Sequence, residues 1–300
     1  MTSTTGSRIR RSELTQDHRI DVAARLQMAA MDAIAKLHGQ GPGLVFHGGT
    51  SIALMHGSPR WSEDLDFMAA PEAMAGIFDK EGDLARHLQF SSSLSTPGAS
   101  TILARKKDVI EVGQVAKLNL RWEHPEFIGA VRIKIEFYIT PQERLSSYAA
   151  TPRICSFAGR QSGRKISGAD IASIWADKIV AIAQRPALKH RDIHDLGYIA
   201  PLLDGSEDLD AALRASMGIY GRNALEISEG LARPLVTTAI PDRKAFHSDM
   251  ERWFFGEEFQ RQRQAGHYDR LHEAFLLQFE AGVSRVAALA RDELGPGIEP

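Results

Sequence analysis

The chain is predicted to be an α+β protein, with a mixed sheet flanked by helices in its N-terminal half and an all-helical C-terminal half. Three observations predict this. Apolar and polar residues alternate strictly through Leu118–Trp122 and Ile133–Ile139, the period of strands with one buried and one open face. The texture changes after Thr151-Pro152. From Ser167 to about Leu294 helical periodicity takes over.

The elements follow in order. Residues 17–39 read as an amphipathic helix with apolar positions at Ile20, Val22, Leu26, Met28, Met31 and Ile34, stopped by Gly39-Gln-Gly41-Pro42-Gly43. A strand Leu44–His47, a helix Ser51–His56 and a strand Asp64–Met68 come next. Pro71 opens a helix that ends before about Gln89, and residues 90–140 carry β-like runs. Residues 153–166, with several Gly, Ser and Arg, read as a loop. These readings divide the chain into an α/β domain over 17–150 and a helical domain over 165–294, with 1–16 and 295–300 expected to be flexible.

Composition narrows the function classes. Hydrophobic residues at 43% and charged residues at 25% are ordinary for a globular protein. The formal net charge of −2 provides no global field for nucleic acid, so any RNA contact needs a local patch. A single cysteine, Cys155, excludes an intrachain disulfide and fits a reducing cytoplasm. The arginines at 8, 10 and 11 lack the apolar core of a signal peptide, and no stretch is long and apolar enough to span a membrane.

The densest chemistry lies in residues 47–67, where His47-Gly-Gly-Thr-Ser is followed by Arg60-Trp-Ser-Glu-Asp64-Leu-Asp66-Phe67. Glycines at a strand-to-helix turn let backbone approach a phosphate closely. The helix beginning near Thr50 offers free N–H groups and a favourable dipole, with Thr50 and Ser51 as caps or phosphate donors. Asp64 and Asp66 stand at i and i+2, so a strand projects both to one face. Such a pair suits Mg²⁺, which shares its shell with substrate phosphates. Arg60 and Ser62 lie close enough in sequence to touch phosphate.

Further groups join from downstream. Lys178 interrupts the apolar stripe Ile171, Ile174, Trp175, Ile179 and Ile182, which reads either as a cleft contact to nucleotide phosphate or as a snorkelling side chain. Asp192 and Asp195 fall in the first turns of the next helix, either as dipole partners or caps or, for Asp192, near Lys178 as a phosphate-site orienter or acid–base partner. Arg185, Lys189 and Arg191 are either a solvated face or RNA phosphate contacts. Glu136, on the polar face of its strand, reads equally as a third metal ligand or proton acceptor and as half of a cross-strand ion pair.

Gly48-Gly49-Thr50, Arg60-x-Ser62-x-Asp64-Leu65-Asp66-Phe67, Lys178, Arg185 and Arg191-Asp192-x-x-Asp195-Leu196 together resemble the AbiEii/AbiGii nucleotidyltransferase toxin family, within the polymerase-β-like superfamily. The resemblance runs over roughly residues 20–205. It implies a nucleotidyltransferase-type sheet and the toxin half of a toxin–antitoxin or phage-defence pair, with a cognate antitoxin as partner. It also implies transfer of NMP from an NTP to an RNA 3′ end, tRNA above all. By motif, Gly48, Gly49 and Thr50 would hold the triphosphate, Asp64 and Asp66 would bind Mg²⁺, Lys178 would contact nucleotide, and Asp192 would complete the site. His190 has no counterpart in the pattern. Two rivals stand beside this expectation: the same chemistry on a small molecule or protein, and a nucleotide-binding regulator without catalysis.

Overall fold

The structure is a computed structural model that describes residues 11–38, 43–233, 242–264 and 266–294. Its first part contains β1 (Ser12–Glu13), α1 (Gln16–His38), β2 (Leu44–His47), α2 (Gly48–His56), β3 (Leu65–Ala69), α3 (Pro71–Asp79), α4 (Glu81–Ser95), β4 (Ser100–Lys107), β5 (Val115–Glu123), β6 (Phe127–Ile128), β7 (Val131–Ile139), α5 (Gln142–Ser146), β8 (Ala150–Phe157) and β9 (Arg160–Ala169). Helices follow: α6 (Ile171–Gln184), α7 (His190–Ile199), α8 (Leu209–Tyr220), α9 (Ala224–Leu231), α10 (Arg243–Met250), α11 (Gly256–Gln262) and α12 (His267–Leu294). The expected α+β architecture with an all-helical C-terminal part is present.

A seven-stranded mixed sheet runs in the order β4-β5-β7-β3-β2-β9-β8. β3 pairs parallel with β7 and antiparallel with β2, and β2 pairs parallel with β9. One face is apolar because the strands alternate: Leu118, Leu120 and Trp122 of β5 and Ile133, Ile135, Phe137 and Ile139 of β7 are buried on it. Helices α1, α3 and α4 cover this face. Phe46, Phe67 and Phe137 stack across β2, β3 and β7 with successive centroids 5.2 Å apart, and burial of each ring contributes roughly 1.5–3 kcal/mol. The other face presents Lys117, Asn119, Arg121, Arg132, Lys134 and Glu136.

Three expectations need correction. The 153–166 loop is instead the antiparallel hairpin β8–β9, which carries the sheet on to Ala169, beyond the expected limit at 150. As the outer edge of the sheet, β8 exposes most of its residues on both faces, so it lacks the alternation that marks a half-buried strand. The helix from Pro71 is two helices parted at Lys80, and the second, over 81–95, runs past the expected end near Gln89 into residues where β structure was expected. Within the expected flexible arm, Ser12 and Glu13 pair in parallel with Phe127 and Ile128; residues 1–10 and 295–300 lie outside the described ones.

The helical part packs closely. A Cβ placed on Gly197 of α7 would lie 2.3 Å from the carbonyl oxygen of Leu271 in α12, so only glycine permits this approach. α2 touches β3 and β8 on one side and α6 and α7 on the other, joining sheet to helices at the site described next. Among the described residues no helix is long and apolar enough to cross a membrane.

Candidate active site

β2 ends at His47 and the chain turns into α2 through Gly48, whose φ of +78° lies in the left-handed region that glycine adopts without steric cost. Among the described residues no side chain caps α2, which leaves its first N–H groups to an anion. A Cβ on Gly48 would stand 2.6 Å from Oδ2 of Asp66, the residue opposite His47 in the β2–β3 register. Gly48→Ala therefore combines left-handed strain with a clash against a candidate metal ligand. It is expected to cost about 1–2 kcal/mol of stability and at least about tenfold in turnover, read by thermal unfolding and a transfer assay.

The turn opens into a pocket of about 390 Å³, lined by Gly48, Gly49, Ser62, Asp64, Asp66 and Glu136 on the sheet side. Lys178, Arg185, Lys189, Arg191, Asp192 and Asp195 line it from the helical side. The expected glycine turn, carboxylate pair and lysine thus share one cleft. A larger cavity, about 800 Å³, lies by the C-terminal end of α2 around Phe157 and Phe255 and contains none of the motif residues.

The two walls differ in charge. Burial raises the Asp66 carboxyl above the usual carboxylate range; Asp64 and Glu136 push the same way, against His47 and Lys178. On the helical wall, burial together with Arg185 and Arg191 pulls the Lys189 ammonium below its usual value. Carboxylates facing a wall of mixed charge, where Lys178 and Arg185 are paired with Asp192 and Asp195 and Lys189 and Arg191 add further cations, suit a polyphosphate carried with a divalent metal.

Other expected contacts are spent within the protein. Thr50 donates its hydroxyl to the Asp64 carbonyl, and Ser51 donates to the Gly48 carbonyl at 2.8 Å. Both side chains are buried outside the pocket lining, so the expected phosphate donors are braces of the turn. Arg60, 1% exposed, clasps Asp195 with Nε at 2.8 Å and Nη2 at 3.0 Å, and its Nη1 donates to the Trp61 carbonyl. Its planar fork is used up on that carboxylate rather than free for phosphate.

Lys178 does not follow the snorkelling alternative. It is buried, with Nζ donating to Oδ2 of Asp195 at 2.5 Å and lying 3.6 Å from Oδ1 of Asp192. Arg185 holds the other oxygen of Asp192. Asp192 stands beside Lys178 as expected, but Asp195 is the nearer partner. Glu136 pairs with Lys117 at 2.8 Å across the β5–β7 register, the ion pair that its position allowed, while still lining the pocket. His190 turns away to Asp249, with Nδ1 3.0 Å from the carboxylate.

Four residues that line the pocket escaped the sequence reading: His47, Asp177, Ala181 and Tyr220. His47 places Nδ1 3.3 Å from Asp177, and Asp177 also accepts from Tyr148 at 2.6 Å and Ser216 at 2.7 Å. Asp177 sits one position before Lys178, where a carboxylate in an apolar stripe signals a buried polar network.

Among the described residues no three His, Cys, Asp or Glu side chains form a ready-made metal cage. Mg²⁺ does not need one, since it commonly takes one or two carboxylates and completes its shell with water and substrate phosphates. Asp64 and Asp66 offer hard oxygens beside the uncapped turn, with Glu136 lining the same pocket. The donor set fits.

No curated protein matches this chain. Among solved structures it is similar to MenT4, a nucleotidyltransferase toxin from Mycobacterium tuberculosis, at 19% identity over 94% of this chain and 97% of that one, with a TM-score of 0.49. It is also similar to a candidate nucleotidyltransferase from H. pylori, at 19% identity over 88% and 97% of the two chains and a TM-score of 0.45. The family model described as "Nucleotidyl transferase AbiEii toxin, Type IV TA system" matches residues 29–289 and so spans both the sheet and the helical wall of the pocket. The chain belongs to the AbiEii family of nucleotidyltransferase toxins.

Proposed function

We propose that this toxin is a Mg²⁺-dependent enzyme that moves a nucleoside monophosphate from an NTP to the 3′ hydroxyl of an RNA, tRNA being the foremost acceptor. A cognate antitoxin would hold it in check within the cytoplasm. The observation that supports the reading most is the single cleft with an uncapped glycine turn, the Asp64–Asp66 pair and a helical wall that carries Lys178, Arg185, Lys189 and Arg191. In the reaction the 3′ oxygen bonds to the α-phosphorus, the bond to the β-phosphate oxygen breaks, and pyrophosphate leaves.

The residues divide this work. The N–H groups at Gly48 and Gly49 receive phosphate oxygens. Lys178, oriented by Asp195 and Asp192, supplies positive charge where the transferring phosphoryl group gathers negative charge. Arg185, Lys189 and Arg191 hold the departing pyrophosphate side. Asp64 and Asp66 would hold Mg²⁺, which when bound polarises the phosphate and lowers the pKa of the attacking hydroxyl. Glu136, on the same wall, is placed to join that set or to take the hydroxyl proton once Lys117 releases it.

The test pairs binding with chemistry. Mg²⁺ with a non-hydrolysable NTP is expected to raise the melting temperature of the parent protein and not of Asp64→Ala. Labelled NTPs incubated in parallel with tRNA, a protein lysate and small-molecule acceptors are expected to mark tRNA. Label entering only protein or small molecules would overturn the acceptor. Nucleotide binding with no pyrophosphate released under any condition would overturn the enzyme reading of this site.

A further inference from the structure

The open face of the sheet carries charge that the pocket does not use. Alternation along β5 and β7 directs Lys117, Asn119 and Arg121, and Arg132, Lys134 and Glu136, to this one face. The antiparallel register sets them in rows: Lys117 opposite Glu136, Asn119 opposite Lys134, Arg121 opposite Arg132. Glu136 lines the catalytic pocket. Four residues along β7, about 13 Å at the rise of a strand, Arg132 lines a second groove of about 460 Å³ with Arg11, Arg121 and His124. A basic row therefore joins two concavities along a sheet face left open by the described residues.

Apart from Lys117, which pairs with Glu136, the cations on this row sit in exposed pairs or in none. Lys134 is 53% exposed and lies 3.5 Å from Asp64, and Arg121 is 46% exposed beside Glu123. Arg132 has no ion-pair partner among the described residues. Exposed pairs of this kind contribute little, roughly 0–1 kcal/mol, so a phosphate can displace them at small cost. The formal net charge of the chain is −2, which makes a one-sided basic row a local feature and not a reflection of composition.

We infer that this face is the track for the single-stranded 3′ segment of the acceptor RNA. Its terminal hydroxyl enters the pocket at Asp64, Asp66 and Glu136, and upstream phosphates lie on Lys134, Arg132 and Arg121. The Arg11 groove receives the segment where it leaves the sheet. The inference rests on RNA being the acceptor. Contacts of this kind position the backbone and do not read its sequence.

The experiment uses Arg121→Ala/Arg132→Ala in the full chain, with a 5′-labelled single-stranded RNA bearing a free 3′ hydroxyl as probe. Both side chains are exposed, so the fold tolerates their loss, and an unchanged melting curve verifies this. RNA affinity is expected to fall about tenfold, and the slope of log K against log salt to shrink by about 1.4, or ~0.7 for each single-strand phosphate contact removed. KM for RNA is expected to rise with kcat little changed. A double variant with the parent's RNA affinity and salt slope overturns the track. A parent protein that binds RNA through these residues and yet transfers no nucleotide to it leaves the face an RNA-binding surface but overturns the acceptor assignment, and with it the path of a 3′ end into the pocket.

Discussion

Asp66→Asn is expected to reduce nucleotide transfer on the order of 10³-fold or more, about 4 kcal/mol of transition-state stabilisation, while the folded protein becomes no less stable. The two effects have one cause. Asp66 is held beside Asp64 and Glu136 and partly withdrawn from water, and burial first, then those carboxylates, raise its carboxyl above the ordinary range. A carboxyl raised on folding binds its proton more tightly in the folded state, so stability is greatest in acid and declines as pH rises through its folded value. At neutral pH the ionised group therefore strains the fold. Asparagine keeps the shape, removes the charge and relieves the crowding. It also removes the hard anionic oxygens that a divalent cation needs. Melting curves at several pH values, measured alongside transfer rates, separate the two effects. A variant that is inactive and clearly destabilised would show Asp66 to be a structural carboxylate. A variant that still labels RNA would remove it from the chemistry.

Much of this site is legible in the sequence because its main parts are local. The glycine turn, α2 and β3 lie within residues 44–69, where strand and helix periods can be read directly and two aspartates at i and i+2 must share a face. The polar row on β5 and β7 is legible for the same reason, since one covered face imposes alternation on both strands. What stays hidden is contact between distant segments. Nothing near Asp195 says that Arg60, 135 positions earlier, will fold onto it. Read as phosphate donors, Arg60, Thr50 and Ser51 turn out to be spent internally, and only three-dimensional closure decides between those roles. The β8–β9 hairpin is hidden for a different reason: an edge strand buries little of either face, so the pattern that marks a strand is lacking. The break at Lys80 has no Pro or strong N-cap residue to announce it, and α4 begins without a side-chain cap.

Asp195→Ala is expected to be the most destabilising single change in the site, costing about 3–5 kcal/mol, because it strands two buried cations at once. Asp195 is fully buried between the Arg60 guanidinium, 1% exposed, and the Lys178 ammonium. Burial pushes its carboxyl up, but Arg60, Lys178 and the His194 hydrogen bond outweigh burial and hold it well below the usual range. A carboxylate depressed on folding contributes stability that is present above the unfolded pKa, about 3.9, and is lost as pH falls through the folded value. Acid unfolding of the parent is therefore expected to steepen below about pH 4, and Asp195→Asn, which keeps the shape without the charge, should lack that component. Because Lys178 takes its position from Asp195, kcat should fall in Asp195→Asn even at temperatures where the variant is fully folded, with KM for NTP changed less. Lys178→Met separates the roles: it removes the phosphate-facing charge but leaves Asp195 paired with Arg60, so activity should be lost at a smaller cost in stability. If Asp195→Asn instead matches the parent in both acid limb and turnover, the clasp is not what positions the lysine.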